Sequence, residues 1–211
     1  MSLISTADLR TWLALEDGDK APNAKLSAVS KAIEDFVDSF TNRKLEAARY
    51  NSDPQFTYLD GNGKPYIYVP QYPVSHVDGV WMDADRVFGS GTAISTADIY
   101  FYPGGKVISE GGYFTRGRRN IKIDYIAGYA PVVGSTHNNA VSTYPIPEDL
   151  KQVMIEMSIE SLKEGITAVH TIAGAAETPP RFIQMLTNNS FWRNVLNKYK
   201  AFDASLAGYE E

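Results

Sequence analysis

The side chains able to do chemistry are few and badly placed for it. His76, His137 and His170 are the only histidines. None has a partner at the His-x-x-x-His or Glu-x-x-His spacing that lets one helix face offer two ligands to a metal. Each reads as a surface or loop histidine. Asp60-Gly61-Asn62-Gly63-Lys64 opens like a calcium loop, but Lys64 holds the fifth position and Gln71 the twelfth, where a carboxylate is needed. It reads as a turn. Gly104-Gly105-Lys106 has neither the spacing nor the following Ser or Thr of a phosphate loop, and no Gly-x-Ser-x-Gly elbow exists for a hydrolase. Asp83 and Asp85 could pair for acid–base work. Their setting, Met82-Asp83-Ala84-Asp85-Arg86, reads instead as an exposed turn.

One basic cluster stands out: Arg116, Arg118, Arg119 and Lys122. Two readings fit it, a solvated or inter-subunit salt-bridging hairpin and a contact with DNA phosphates. The formal charge of −5 over 211 residues argues against nucleic-acid binding as the main business, because phosphate affinity accumulates from Lys and Arg. The chain has no cysteine, which removes thiolate and sulfur-based zinc chemistry and fits a protein made in a reducing cytoplasm. No apolar run is long enough for a transmembrane helix. Met1 to Ser5 is not expected to be a signal peptide. No catalytic residue, cofactor, metal or membrane contact is expected.

The elements that would position these residues come in two periods. Ser5 with Asp8 makes a capping pattern ahead of Leu9, Trp12 and Leu13, and the acidic loop Glu16 to Asp19 follows. Asn23 is expected to cap a second helix, whose Leu26, Val29, Ile33, Phe36, Val37 and Phe40 share one face. From about residue 50 the period falls to two. Gln55 to Leu59 and Tyr66 to Val69 read as a hairpin around a glycine-rich turn. Val74 to Met82, Ile99 to Tyr102, Lys106 to Ile108 and Ile121 to Ile126 supply further strands, and Gly128-Tyr129 makes a corner. Pro131 to Tyr144 is a long polar loop.

Helical period returns with Pro147 in a first-turn position. Leu150, Val153, Met154 and Met157 form one stripe, and Ile155, Ile159, Leu162 and Ile166 a second on the other side. Such a helix is sandwiched, either inside its own bundle or against another subunit. Thr167 to Pro180 is rich in small residues. Ser190 is expected to cap a last helix, whose Phe191, Trp192, Val195, Leu196, Tyr199, Phe202 and Leu206 fall within an arc of roughly 140°. This stripe either packs at home or docks into a partner protein. The fold class expected is α+β: helices from residues 1–48 and 146–211 form a bundle, interrupted by an antiparallel β-sheet or sandwich module over 49–145.

The order of these pieces resembles the head–tail connector, or adaptor, family of tailed bacteriophages and phage-like particles. The matching residues are Asp8-Leu9-Arg10-Thr11-Trp12-Leu13, Phe40-Thr41-Asn42-Arg43-Lys44-Leu45, the Leu59-Asp60-Gly61 turn, Val69-Pro70 with Pro73-Val74, the passage Arg116 to Tyr129, and Ile146-Pro147-Glu148-Asp149-Leu150. The loop 131–144 and the stretch 166–180 are longer than that family's usual connections. The resemblance implies a non-enzymatic structural protein of the virion neck, assembled in the host cytoplasm as a ring, generally twelvefold, beneath the portal protein. Such a ring extends the DNA channel without specific DNA binding and docks the next neck or tail protein. By the same resemblance, Phe191, Trp192, Val195, Leu196, Tyr199 and Phe202 are the portal-docking residues. Arg116, Arg118, Arg119 and Lys122 are candidates for the subunit interface or channel. The two-sided helix and the tyrosine-rich sheet would supply ring contacts, and an isolated copy could stay monomeric. The alternatives are another neck or tail-completion protein and, in a different class, a carbohydrate-binding or hydrolytic β-module.

Overall fold

A computed structural model describes residues 3–14, 23–130, 136–137, 140–163 and 180–201. The acidic loop 16–19, residues 131–135 and 138–139 of the loop 131–144, the stretch 166–179, His170, Phe202 and Leu206 lie outside the described residues. The chain divides into two compact units, one formed by Met1–Arg43 and Ile146–Lys200, the other by Lys44–Pro145 and Ala201–Glu211. The first is helical and the second is β, so the fold class is α+β with helices on both sides of a β module in chain order.

The helical unit begins with α1 (Thr6–Trp12), opened by the expected capping box: Asp8 N–H donates to Ser5 Oγ and Ser5 N–H to the Asp8 carboxylate, both at 3.0 Å. Helix α2 (Asn23–Thr41) buries Leu26, Val29, Ile33, Phe36 and Val37 of the expected stripe, and Phe40 at its end is half-buried. Asn23 is its first residue, and the Asn23 amide oxygen accepts from Arg10 Nε at 3.0 Å. The helix stops at Asn42, whose φ of +55° reverses the chain. Arg43 N–H then reaches back to Asp38 O and Asn42 N–H to Ser39 O, so carbonyls that would otherwise be orphaned find donors. Helix α3 (Glu148–Lys163) buries both of its stripes at least in part, with Leu150, Val153, Met154, Ile155 and Met157 fully inside. It packs against α1 and α2 and against the last helix. The two-sided pattern therefore reflects enclosure by its own bundle.

Two short helices complete this unit. Helix α4 (Pro180–Asn188) has no counterpart among the expected elements. Its signal was present as Pro180 at the start and as Phe182, Met185 and Leu186 at helical spacing, these three being buried. Phe182 packs its ring 5.2 Å from that of Phe36 on α2. Helix α5 (Ser190–Lys198) is capped by Asn189, not by Ser190. The Asn189 oxygen accepts from the N–H groups of Phe191 and Trp192, at 3.1 and 3.3 Å, and Ser190 is already the first helical residue.

In the β unit the long strand β8 (Gly117–Ala127) is central. Strand β4 (Val74–Met82) pairs along one edge of it. The other edge carries β1 (Ala48–Tyr50) and β2 (Tyr58–Gly61) end to end, and β5 (Ala93–Ile94) extends the sheet beyond β4. A second sheet has the order β3 (Tyr66–Tyr68), β7 (Lys106–Ser109), β6 (Ile99–Phe101). A short ladder joins β9 (Thr136–His137) to β10 (Ala140–Val141). Among the described residues these ladders are antiparallel, and two isolated bridges, Glu46 with Tyr129 and Ala130 with Pro145, are parallel. Period-two residues from both main sheets share one core: Val74, Val77, Val80, Ile121, Ile123, Tyr125 and Ala127 meet Ile67 and Val107 from the smaller sheet, with Phe114 between strands.

The hairpin expected over residues 55–69 does not form. Tyr58 and Leu59 pair with β8, whereas Tyr66 to Tyr68 pair with β7 in the other sheet. The glycine-rich segment passes the chain between sheets. Its donors are taken by residues far along the chain: Gly61 N–H by Asn120 Oδ1 at 2.9 Å and Gly63 N–H by Phe114 O at 2.7 Å. At the end of β8 the Gly-Tyr corner is as expected. Gly128 has φ +113°, and a Cβ there would sit 2.6 Å from Glu46 O.

Candidate functional site

The terminal stripe is largely built into its own bundle. Helix α5 packs on α2, α3 and α4. Trp192, Val195 and Leu196 are buried there, Leu196 completely. Trp192 Nε1 donates to Glu156 Oε2 on α3 at 2.6 Å, and Glu156 Oε1 also accepts from Gln152. Tyr199, at the helix end, donates its hydroxyl to Asp149 Oδ1 at 2.5 Å. Phe191 differs. It lies on the outer side of α5 and is 51% exposed. The stripe is therefore no free apolar surface: three of its members form core, one is tied to a carboxylate, Phe191 faces out, and Phe202 lies outside the described residues. Helical projection places apolar residues on one face without identifying what covers that face.

Carboxylates on α3 and α1 hold the helices in register. Burial acts to raise the Asp149 carboxyl, but the hydrogen bonds from Tyr199, Lys198 and the Leu150 N–H outweigh it and bring the group below the usual Asp range. Asp8 behaves alike. Burial pushes it up, while the Lys151 ammonium at 2.8 Å and Ser5 draw it down below the usual range. Both acids thus stay charged and link neighbouring helices.

In the β unit the four basic candidates share the β8 region but not one environment. Lys122 sits over the Trp81 ring, 4.8 Å from its centre. Gly79 makes this possible, because the Trp81 ring lies where a Cβ on residue 79 would be. Arg119 is in the left-handed region with φ +52°. Its N–H donates to Asp60 at 2.7 Å and its Nη2 to Pro54 O at 2.6 Å. Arg116 and Arg118 are exposed, the Arg116 stem lying against Gly63. Arg86 joins the group unannounced, its Nε donating to Arg118 O at 3.1 Å. No local sequence signal links residues 86 and 118; the sheet brings them together.

Asp83 is a turn-former and does not pair with Asp85 for acid–base work. The Asp83 carboxylate accepts from the N–H groups of Asp85, Val87 and Phe88 at 2.8–3.0 Å. Those bonds, Phe88 foremost, lower its pKa below the ordinary range. Among the described residues no group of three His, Cys, Asp or Glu side chains is arranged to hold a metal, and no helix is long and apolar enough to cross a membrane.

The outer face of the three-stranded sheet carries exposed aromatic rings. Ile67, Val107 and Phe101 point inward, so the alternate residues Tyr66, Tyr68, Tyr100, Ile108 and Lys106 point outward. Tyr68, Tyr100 and Tyr102 are each half-exposed or more. Lys106 Nζ lies 4.5 Å and Lys64 Nζ 5.6 Å from the centre of the Tyr66 ring, which meets Tyr68 edge-on at 5.9 Å.

These surfaces belong to a chain that joins a helical unit to a β unit. The same fold occurs in phage-like necks. The chain is similar to one in the neck of an empty gene transfer agent particle computed with C6 symmetry, at TM-score 0.54 and 18% identity, over 93% of this chain and 88% of that one. It is also similar to a chain of the virion of a native gene transfer agent particle, at TM-score 0.54 and 17% identity, over the same shares. No family model matches the chain, and no curated protein does. The likeness is one of fold, and it extends through both units.

Proposed function

We propose that this chain is a structural component of the neck of a phage-like particle, acting as the head–tail adaptor. In this reading copies form a ring, generally twelvefold, beneath the portal protein. The ring continues the DNA channel without gripping the DNA and receives the next neck or tail protein. The chain would work in the virion neck after assembly in the host cytoplasm, without catalysis. The observation that carries the reading is a fold shared over 93% of the chain with a neck chain of a gene transfer agent particle. The helix–β–helix order supports it, as does the net charge of −5, since a channel wall that is not basic lets phosphates pass.

Docking to the portal falls to the carboxyl-terminal region, with Phe191 as the accessible anchor and Phe202 following it. Trp192, Val195, Leu196 and Tyr199 act by fixing α5 in the bundle so that Phe191 is presented rigidly. Arg116 and Arg118 are exposed enough to make contacts between subunits or along the channel. Removing the gene from a producing strain tests the proposal. Filled heads that carry portal and lack tails are expected; normally tailed particles would overturn it. Phe191→Ala is expected to weaken co-sedimentation with portal while leaving the melting temperature unchanged.

A further inference from the structure

The glycine-rich link between the two sheets carries a reactive sequence. Asn62-Gly63 is the single Asn-Gly pair of the chain, and Asp60-Gly61 stands directly before it. A glycine after asparagine leaves its own backbone nitrogen open to close approach, because no Cβ stands in the way. In an unrestrained chain that nitrogen gives up its proton and attacks the asparagine Cγ. The N–Cγ bond forms, the Cγ–Nδ2 bond breaks, and the amide group leaves as ammonia, closing a five-membered imide. Water then adds to one of the two imide carbonyls and yields aspartate or isoaspartate. No electrons are exchanged with any other group.

The folded β unit occupies the atoms this reaction needs. Gly63 N–H donates to Phe114 O at 2.7 Å, so the nitrogen is tied up as a hydrogen-bonded amide. Asn62 Oδ1 accepts from Lys64 N–H at 2.8 Å, and Asn62 Nδ2 donates to Tyr66 O at 2.9 Å. The side chain cannot turn its Cγ onto Gly63 N without breaking these bonds. The Arg116 stem lies against Gly63 as well. Asp60-Gly61 is held in the same way: Asp60 Oδ1 accepts from Arg119 N–H at 2.7 Å, and Gly61 N–H donates to Asn120 Oδ1 at 2.9 Å. Phe114, Arg116, Arg119 and Asn120 are remote in sequence, so the hold exists only while the β unit is closed. We propose that Asn62 is a site of spontaneous deamidation that the fold keeps shut, and that conversion there marks chains whose β unit has opened. The inference is independent of the neck reading. Aspartate at 62 would keep the acceptor for Lys64 N–H but turn an oxygen towards Tyr66 O. Isoaspartate would add a backbone carbon where the chain crosses between sheets. Either product weakens the closed form, so the mark opposes refolding.

The full chain, incubated in mildly alkaline buffer with and without enough guanidinium chloride to unfold it, tests this. Peptide mapping by mass spectrometry follows conversion at each asparagine. In denaturant Asn62 is expected to convert fastest of the asparagines. In the native state its conversion is expected to be about tenfold or more slower, tenfold being about 1.4 kcal/mol in the opening equilibrium. Equal rates at Asn62 in the two conditions, no conversion there, or faster conversion of another asparagine in denaturant overturns the proposal. Asn62→Asp supplies one product directly and is expected to lower the melting temperature. An unchanged melting temperature overturns the claim that conversion opposes refolding.

Discussion

Trp192→Ala separates a stripe packed at home from one waiting for a partner. The indole is 8% exposed and its N–H donates to the Glu156 carboxylate at 2.6 Å. Burying a tryptophan removes on the order of 200 Å² from water, or about 5 kcal/mol gross at ~25 cal/mol/Å². Compactness of the unfolded chain takes up to roughly 40% of that away, leaving about 3 kcal/mol. The hydrogen bond to a charged acceptor adds about 1–2 kcal/mol, because Glu156 is only half-buried and water recovers part of the loss. The expected destabilisation is thus about 4–5 kcal/mol, inside the range of about 3–5 kcal/mol known for large aromatic truncations in cores. Trp192→Phe keeps most of the ring and loses the N–H, so about 1–2 kcal/mol is expected. Phe191→Ala, at a 51% exposed position one residue away, should stay within about 0.5 kcal/mol. Urea unfolding followed by far-UV circular dichroism measures all three. If Trp192→Ala cost less than about 1 kcal/mol, α5 would not be held as described, and the stripe would again be a candidate for insertion into another protein.

Gly128→Ala should destabilise the β unit by about 2 kcal/mol or more, since φ +113° and backbone 2.6 Å from the new Cβ leave no room to relax; a melting temperature unchanged from wild type would contradict it. Asn189→Ala removes the acceptor for two helix N–H groups and should cost about 1 kcal/mol in the same unfolding assay, whereas Ser190→Ala should cost much less. Acid should loosen the helical unit through Asp8 and Asp149. Their folded pKa values lie below the ordinary value of 3.8, so their stabilisation is present above that pH and is lost as the pH falls through the lower folded values. Each is partly exposed and contributes roughly 1 kcal/mol at most. The double substitution Asp8→Asn, Asp149→Asn should flatten the acid limb of the stability curve, and an unaltered limb would show that other groups control it.

Period and local punctuation determined a good deal without tertiary information. The α2 stripe, the alternation of Ile121, Ile123 and Tyr125, the Ser5–Asp8 box and the Gly128 corner all depend on residues close in the chain, and all stand in the structure. So does the order of helices, β module and helices. Local signals failed where the partner was remote. Tyr58 and Tyr66 are near neighbours in sequence, yet hydrogen bonds to β8 and β7 place them in different sheets. A glycine-rich link permits either outcome, and only packing of the two sheets around Ile67, Val107 and Ile121 chooses. The surfaces obey the same limit. Helical spacing put Trp192, Val195 and Leu196 on one face, but the covering of that face by α2, α3 and α4 was decided by tertiary packing. Tyrosine suits the inside of a sheet and its outside equally. Which rings remained uncovered was settled when the neighbouring strands took up their register and turned Tyr68 and Tyr100 towards solvent.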